Sequence, residues 1–316
     1  MKLSTAFKTA LSTTALLLTF NAQQAQAGTL YNGWNYSIDS FNDGTEGNLI
    51  GAKSKFEFYG MAYKQTKDKV YFAINSNLAQ TGYNYQSALN GSIGYGDLLL
   101  NFAKPGTQLG VQPTSLTNGN LYGIRFDSNN DTRFTKTTTQ SVGSGKTQKT
   151  ITTTQQVAPS LGLYQNVTAT SLTTKNAGYS SLQQHADTVK HLGGVDSYGD
   201  MAVSTNYFGV PQKVSAPTHM ASGSFLGNIQ TLTDFTGLGL DFGKFKATGS
   251  QTFGFSVDRS FLNNGQNGSF VASLFAECGN DGIVLAGELK DVPEPSMMAG
   301  LAVVGLLVAK RRRHLA

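Results

Sequence analysis

Cysteine is almost absent from this chain. One residue, Cys278, occurs in 316, so no disulfide can close within it. Packing and hydrogen bonding must hold the fold together, even in an oxidising compartment. Charge is scarce as well: Asp, Glu, Lys and Arg make up 14% of the residues, against ~25% in ordinary domains. The formal net charge of +5 belongs to the chain ends. Lys2, Lys8, Lys310, Arg311, Arg312 and Arg313 are six of the 24 basic residues, and Glu294 is one of the 19 acidic ones, which leaves 18 of each sign between the ends. A neutral body lacks the basic excess that grips phosphates, and nucleic acid is excluded as a partner.

What the body does contain is Gly, Asn, Ser, Thr and Gln, interleaved with Tyr and Phe. Such a mixture suits strands and turns better than helices. Several runs alternate apolar and polar residues with period two, the mark of a strand with one buried face. In "TFGFSVD", Phe253, Phe255 and Val257 share a face; in "KVYFAIN", Val70, Phe72 and Ile74 do. "FEFYGMAY", "GDLLLNF", "NLYGIRF", "MAVSTNYF", "GLGLDFGKF" and "GIVLAGELK" read the same way. Their spacing predicts a mainly β body, an antiparallel sandwich or barrel, as one or two domains. One helix is predicted over about Ser181 to Leu192, with Ser180 or Ser181 as N-cap and Gly193 beyond its end.

Residues 135–157 are Thr-rich arms around Gly143-Ser144-Gly145. A protruding hairpin and a polar linker fit this composition equally well. Between Asp131 and Asp187 there are no acidic residues, while Arg133, Lys136, Lys146, Lys149 and Lys175 give a local basic excess, read here as a solvated loop. Tyr95-Gly96-Asp97 and Tyr198-Gly199-Asp200 echo each other. Two tripeptides do not make a repeat and are read as turns entering strands.

Both ends read as addresses. Residues 1–27 carry Lys2 and Lys8, an apolar stretch from Ala15 to Phe20, and small residues Ala25 and Ala27 before Gly28. That is the layout of a secretory signal peptide cut after Ala27 by signal peptidase, following passage through the Sec translocon. At the other end, Met297 to Ala309 is an apolar run of 13 residues. As a helix it measures ~20 Å against a ~30 Å hydrocarbon core, so spanning requires local thinning and snorkelling by Lys310, Arg311, Arg312 and Arg313. Those four residues form a cytoplasmic basic stop and place the body outside.

Val292-Pro293-Glu294-Pro295, the apolar run and the basic end together resemble the PEP-CTERM sorting signal of bacterial proteins processed by an exosortase. The resemblance implies recognition at the Pro-Glu-Pro step by a membrane-embedded protease and transfer to the cell surface or beyond. "HLA" after the arginines departs from the pattern. The stretches "GWNYSIDSFNDGTEG", "YGMAY…VYFAINSNL", "GDLLLNF", "YQNVTATSLT" and "FAECGNDGI" also resemble a group of cyanobacterial exosortase-dependent surface proteins. That likeness implies an exported β-rich protein and no reaction. The chain thus divides into a signal peptide (1–27), an exported body (28–291) and a sorting signal with a transmembrane helix (292–316).

Candidate chemistry within the body is sparse. Cys278 alternates onto the side of Phe270, Ala272, Leu274 and Ala276, which makes it a buried structural thiol. His185 and His191 are six residues apart, ~240° around the helix, and cannot ligate one metal from one face. His219 stands alone and His314 belongs to the tail. Asp127, Asn129 and Asp131 resemble the start of a calcium loop, but Thr132 occupies the place of the required Gly and no Glu follows at position twelve. Asp39 to Asp43 is similarly incomplete, and an Asx-rich turn is expected at both places. No metal, cofactor or catalytic constellation is therefore predicted. The expected function is a non-catalytic structural or binding role at the bacterial surface or in the extracellular matrix, with the exosortase, the membrane and extracellular polysaccharide as partners. The alternative is a secreted enzyme acting on surface polysaccharide, whose carboxylate pair would meet only in the fold.

Overall fold

The computed structural model describes residues 28–102, 115–117, 120–143 and 148–292. Ala25, Ala27, Pro293, Glu294, Pro295, the apolar run, Lys310 to Arg313, His314 and the hairpin tip around Gly145 lie outside the described residues. The first eight strands are β1 (Thr29–Tyr31), β2 (Trp34–Ile38), β3 (Thr45–Glu46), β4 (Leu49–Ile50), β5 (Phe58–Gln65), β6 (Lys69–Ser76), β7 (Tyr83–Asn84) and β8 (Ser92–Ile93). The middle of the chain adds β9 (Leu98–Asn101), β10 (Ser115–Thr117), β11 (Leu121–Arg125), β12 (Phe134–Val142), β13 (Lys149–Val157), β14 (Gly162–Thr170) and the helix α1 (Leu182–His191). Then come β15 (His219–Gly227), β16 (Gln230–Leu232), β17 (Gln251–Asp258), β18 (Gly268–Phe275) and β19 (Gly282–Leu289). The body is mainly β and its strand pairs are antiparallel.

Two large sheets carry the fold. One runs in the order β1-β2-β5-β6-β17-β16. The other runs β10-β14-β11-β9-β18-β19, with β15 on the far edge of β14. Period-two alternation sends Met61, Phe72, Ile74, Phe253 and Phe255 of the first sheet, and Leu98, Leu100, Ile124, Phe270 and Leu285 of the second, into one shared core. The outer faces are covered too. Leu99, Leu121, Met220, Phe275 and Val284 pack under Leu182 of α1, Tyr198 and Phe208. On the other side Trp34, Tyr36, Ala62 and Ala73 pack under Phe242, Phe235 and Phe245. Central strands such as β9 are therefore buried on both faces.

Two of the runs predicted as strands are not strands. Met201 to Phe208 and Gly237 to Phe245 form turns, the latter ending in a 3-10 turn over Phe242–Phe245. Their apolar residues do not face the shared core; Phe208 and Phe242 instead plug the two outer faces. Gly237 and Gly239, with φ of +81° and +79°, bend the second run away from extended geometry. The helix follows the expected layout: the Ser181 side chain accepts from the Gln184 N–H at 3.1 Å, and Gly193 at φ +83° lies just past the end.

The Thr-rich segment is a hairpin of nine residue pairs, β12 against β13, exposed on both faces beyond its base. One face places Thr135, Thr137, Thr139 and Ser141 opposite Gln156, Thr154, Thr152 and Thr150. Phe134 anchors the base against Tyr164. Among the described residues, no helix is long and apolar enough to cross a membrane.

Candidate functional site: two buried carboxylate clusters

Among the described residues, eight Asp and Glu side chains of this charge-poor body are buried. Asp39 follows β2, Asp43 precedes β3, Glu57 immediately precedes β5 and Asp281 precedes β19. The two-sheet fold brings these four positions to one place, and Asp43, Glu57 and Asp281 are 0–1% exposed. Each carboxylate uses oxygen to hold a turn. Asp281 accepts from the Phe58 N–H at 2.6 Å and the Gly282 N–H at 2.7 Å; Asp43 Oδ2 accepts from Ser197 N–H at 2.7 Å. Glu57 Oε2 accepts from Gly44 N–H at 2.7 Å, and Asp39 Oδ1 accepts from the N–H groups of Ser40 and Gly199. The remaining oxygens, Asp39 Oδ2, Asp43 Oδ1 and Glu57 Oε1, are buried and have no hydrogen-bond partner.

The side chain of Asp196, beyond the end of α1, is 8% exposed, and its Oδ1 lies 3.5 Å from His185 Nδ1. His185 Nε2 is engaged by the carbonyl oxygens of Asp43 and Asn280, at 3.1 and 2.9 Å. Burial, then the neighbouring carboxylates, push Asp43 up to about 10. Burial above all pushes Asp39 and Glu57 up to about 8 and raises Asp281. Among the described residues, no Lys or Arg forms an ion pair with these four carboxylates.

The second cluster centres on Glu277, one residue before Cys278. Glu277 Oε2 accepts from Gly94 N–H at 2.7 Å, and Oε1 accepts from Asp131 N–H at 2.7 Å and lies 2.8 Å from His219 Nε2. Beside it, Asp97 accepts from Thr132 Oγ1, Met220 N–H and Asn130 Nδ2, while Asn130 Oδ1 accepts from Arg125 Nε at 2.8 Å. Burial raises Asp97, an effect the charge of His219 and these donors oppose. Asp127 does close an Asx turn, through Asn129 N–H at 2.8 Å. Asn129 itself is exposed, whereas Asp127 and Asp131 are buried, so the three do not converge as a calcium loop would.

Cys278 is fully buried, and burial pushes its thiol up to about 12, which leaves it inert as a nucleophile. Its carbonyl lies so close to Gly178 that a side chain at 178 would collide with it. His191 is exposed and distant in role from buried His185. Glu57, Asp196, Glu277 and Asp281 are not singled out by sequence pattern, and Asp97 enters only as the end of the Tyr-Gly-Asp echo. Their signal was an acidic residue inside an aromatic or apolar run, as in "FEFYG" and "LFAECG". The Tyr-Gly-Asp echo was the other sign. Both tyrosines are buried, Tyr95 pairing with Ala276 and Gly199 with Val284, and both aspartates accept from backbone N–H groups.

Asp43, Glu57, Glu277 and Asp281 are each 0–1% exposed. No family model, no curated protein and no solved structure matches the chain.

Proposed function

We propose that this is an exported, non-catalytic structural or binding protein of the bacterial surface or extracellular matrix. A signal peptide ending at Ala27 directs it outward, a short membrane helix over 297–309 with Lys310 to Arg313 halts it, and an exosortase releases it near Pro293-Glu294-Pro295. The supporting observation is where the folded body closes. The described strands run from Thr29 to Leu289, between the two proposed cuts. Lys290 is clasped by Gln65 through both its N–H and its carbonyl, while Asp291 and Val292 are exposed. Both cuts would leave every described strand pair in place. Pro293 and Pro295 have no N–H, and Pro295 biases Glu294 to extended geometry, a form a protease can grip. Buried carboxylates that cross-link distant loops fit a stability role in a body without disulfides.

The test is fractionation of cells expressing the native chain and a Pro293→Ala, Glu294→Ala, Pro295→Ala variant, with mass spectrometry of the C-terminus. Native protein is expected outside the membrane without Arg311 to Arg313, and the variant in the membrane with them. Released native protein that still carries Arg311 to Arg313 would overturn the reading.

A further inference from the structure

We propose that Asp39, Asp43, Glu57 and Asp281 form a calcium site. Ligand oxygens of Asp39, Asp43 and Asp281 all lie within 4.8 Å of one another. Oxygens on opposite sides of an ion with Ca–O distances of 2.3–2.6 Å stand about 5 Å apart, so this spacing fits one calcium. The independent observation is the set of unpartnered oxygens. Asp39 Oδ2, Asp43 Oδ1 and Glu57 Oε1 are buried without a donor, on side chains whose other oxygens are fixed by backbone N–H groups. A buried carboxylate oxygen without a donor costs free energy unless a proton or a cation meets it.

The donor set selects the ion. It is oxygen only: His185, the nearest imidazole, turns Nε2 to two carbonyls and Nδ1 towards Asp196. Hard oxygen donors suit calcium or magnesium rather than transition metals. Magnesium keeps several of its waters, for which a centre of side chains 0–6% exposed leaves little room, while calcium accepts an irregular cage of protein oxygens. Four carboxylates without an ion-paired Lys or Arg among the described residues also supply the charge a divalent cation neutralises. The ion would join the loop after β2, the start of β5 and the turn before β19, three segments far apart in sequence. The site stands on these contacts alone and would bind whether or not the chain is exported.

Full-length chain in detergent, stripped with EGTA, is melted with and without millimolar calcium, in the concentration range of extracellular modules with Kd roughly 10⁻⁴–10⁻³ M. A rise of several degrees is expected with calcium and a smaller one with magnesium. Asp43→Asn and Glu57→Gln should melt in EGTA and lose the calcium shift, while Asp127→Asn in the other cluster should keep it. Calorimetric titration of the native chain decides the matter if a variant does not fold. An absent shift together with no heat of binding would overturn the site. So would an equal shift with magnesium, or a shift kept by Asp43→Asn and lost by Asp127→Asn.

Discussion

The two buried clusters solve the same problem in different ways. Around Glu277, negative charge is met by protein: His219 at 2.8 Å, two backbone N–H groups, and a chain of donors from Arg125 through Asn130 to Asp97. Around Asp43, four carboxylates converge and the one imidazole nearby turns to carbonyls and to Asp196. The first cluster carries donors for Glu277 and Asp97 in the sequence, although Asp127 Oδ2 and Asp131 Oδ2 beside them are buried without a partner. The second leaves Asp39 Oδ2, Asp43 Oδ1 and Glu57 Oε1 without a donor and, among the described residues, has no arginine paired with them. A buried acid is thus not one kind of feature; what decides its role is whether donors were folded in with it.

That difference breaks most visibly under substitution. Glu277→Ala strips Gly94, Asp131 and His219 of their shared acceptor at once, and removing one member of a buried charged network costs on the order of 3–5 kcal/mol. Urea unfolding should show this loss with or without calcium. A variant within about 1 kcal/mol of the native protein would mean the cluster holds little.

The next effect is a pH dependence of opposite origin. Asp39, Asp43 and Glu57 hold protons in the metal-free fold up to about 8, 10 and 8, whereas the unfolded chain releases them in the ordinary carboxylate range. The folded state binds more protons in that window, so stability falls as pH rises through it. Melting temperature in EGTA should decline from about pH 5 to about pH 9, and saturating calcium should flatten the slope. A melting temperature that climbs with pH would show these carboxylates ionised and already paired.

The smallest effect is expected at the hairpin. Thr138→Ala lies on exposed strand and should change stability by no more than about 0.5 kcal/mol, with or without calcium. A larger loss in the same urea series would place the hairpin in the cooperative fold.

Much of the architecture was legible because it rests on local periodicity. Val70, Phe72 and Ile74 declare the face of β6, and Ser181 declares the start of α1, within a few residues of sequence. Met201 to Phe208 and Gly237 to Phe245 misled for the same reason: alternation reports that a residue is buried, not which face it covers. The Thr-rich arms left hairpin and linker balanced, since exposed β-branched residues carry no core-facing pattern. Cys278 could be placed on a buried face from its neighbours alone.

What the sequence by itself determined was a β-rich body without disulfides, neutral between two terminal segments of address-like composition, with one capped helix. These follow from composition and from contacts within a turn or a strand. The tertiary structure alone decided the company of the acids. Asp281 meets Phe58 across 223 residues and Glu277 meets Gly94 across 183. An aspartate between Asn280 and Gly282 looks like any turn residue until two sheets close on it. Burial and the approach of other carboxylates change its chemistry, and both are set by which strands lie side by side.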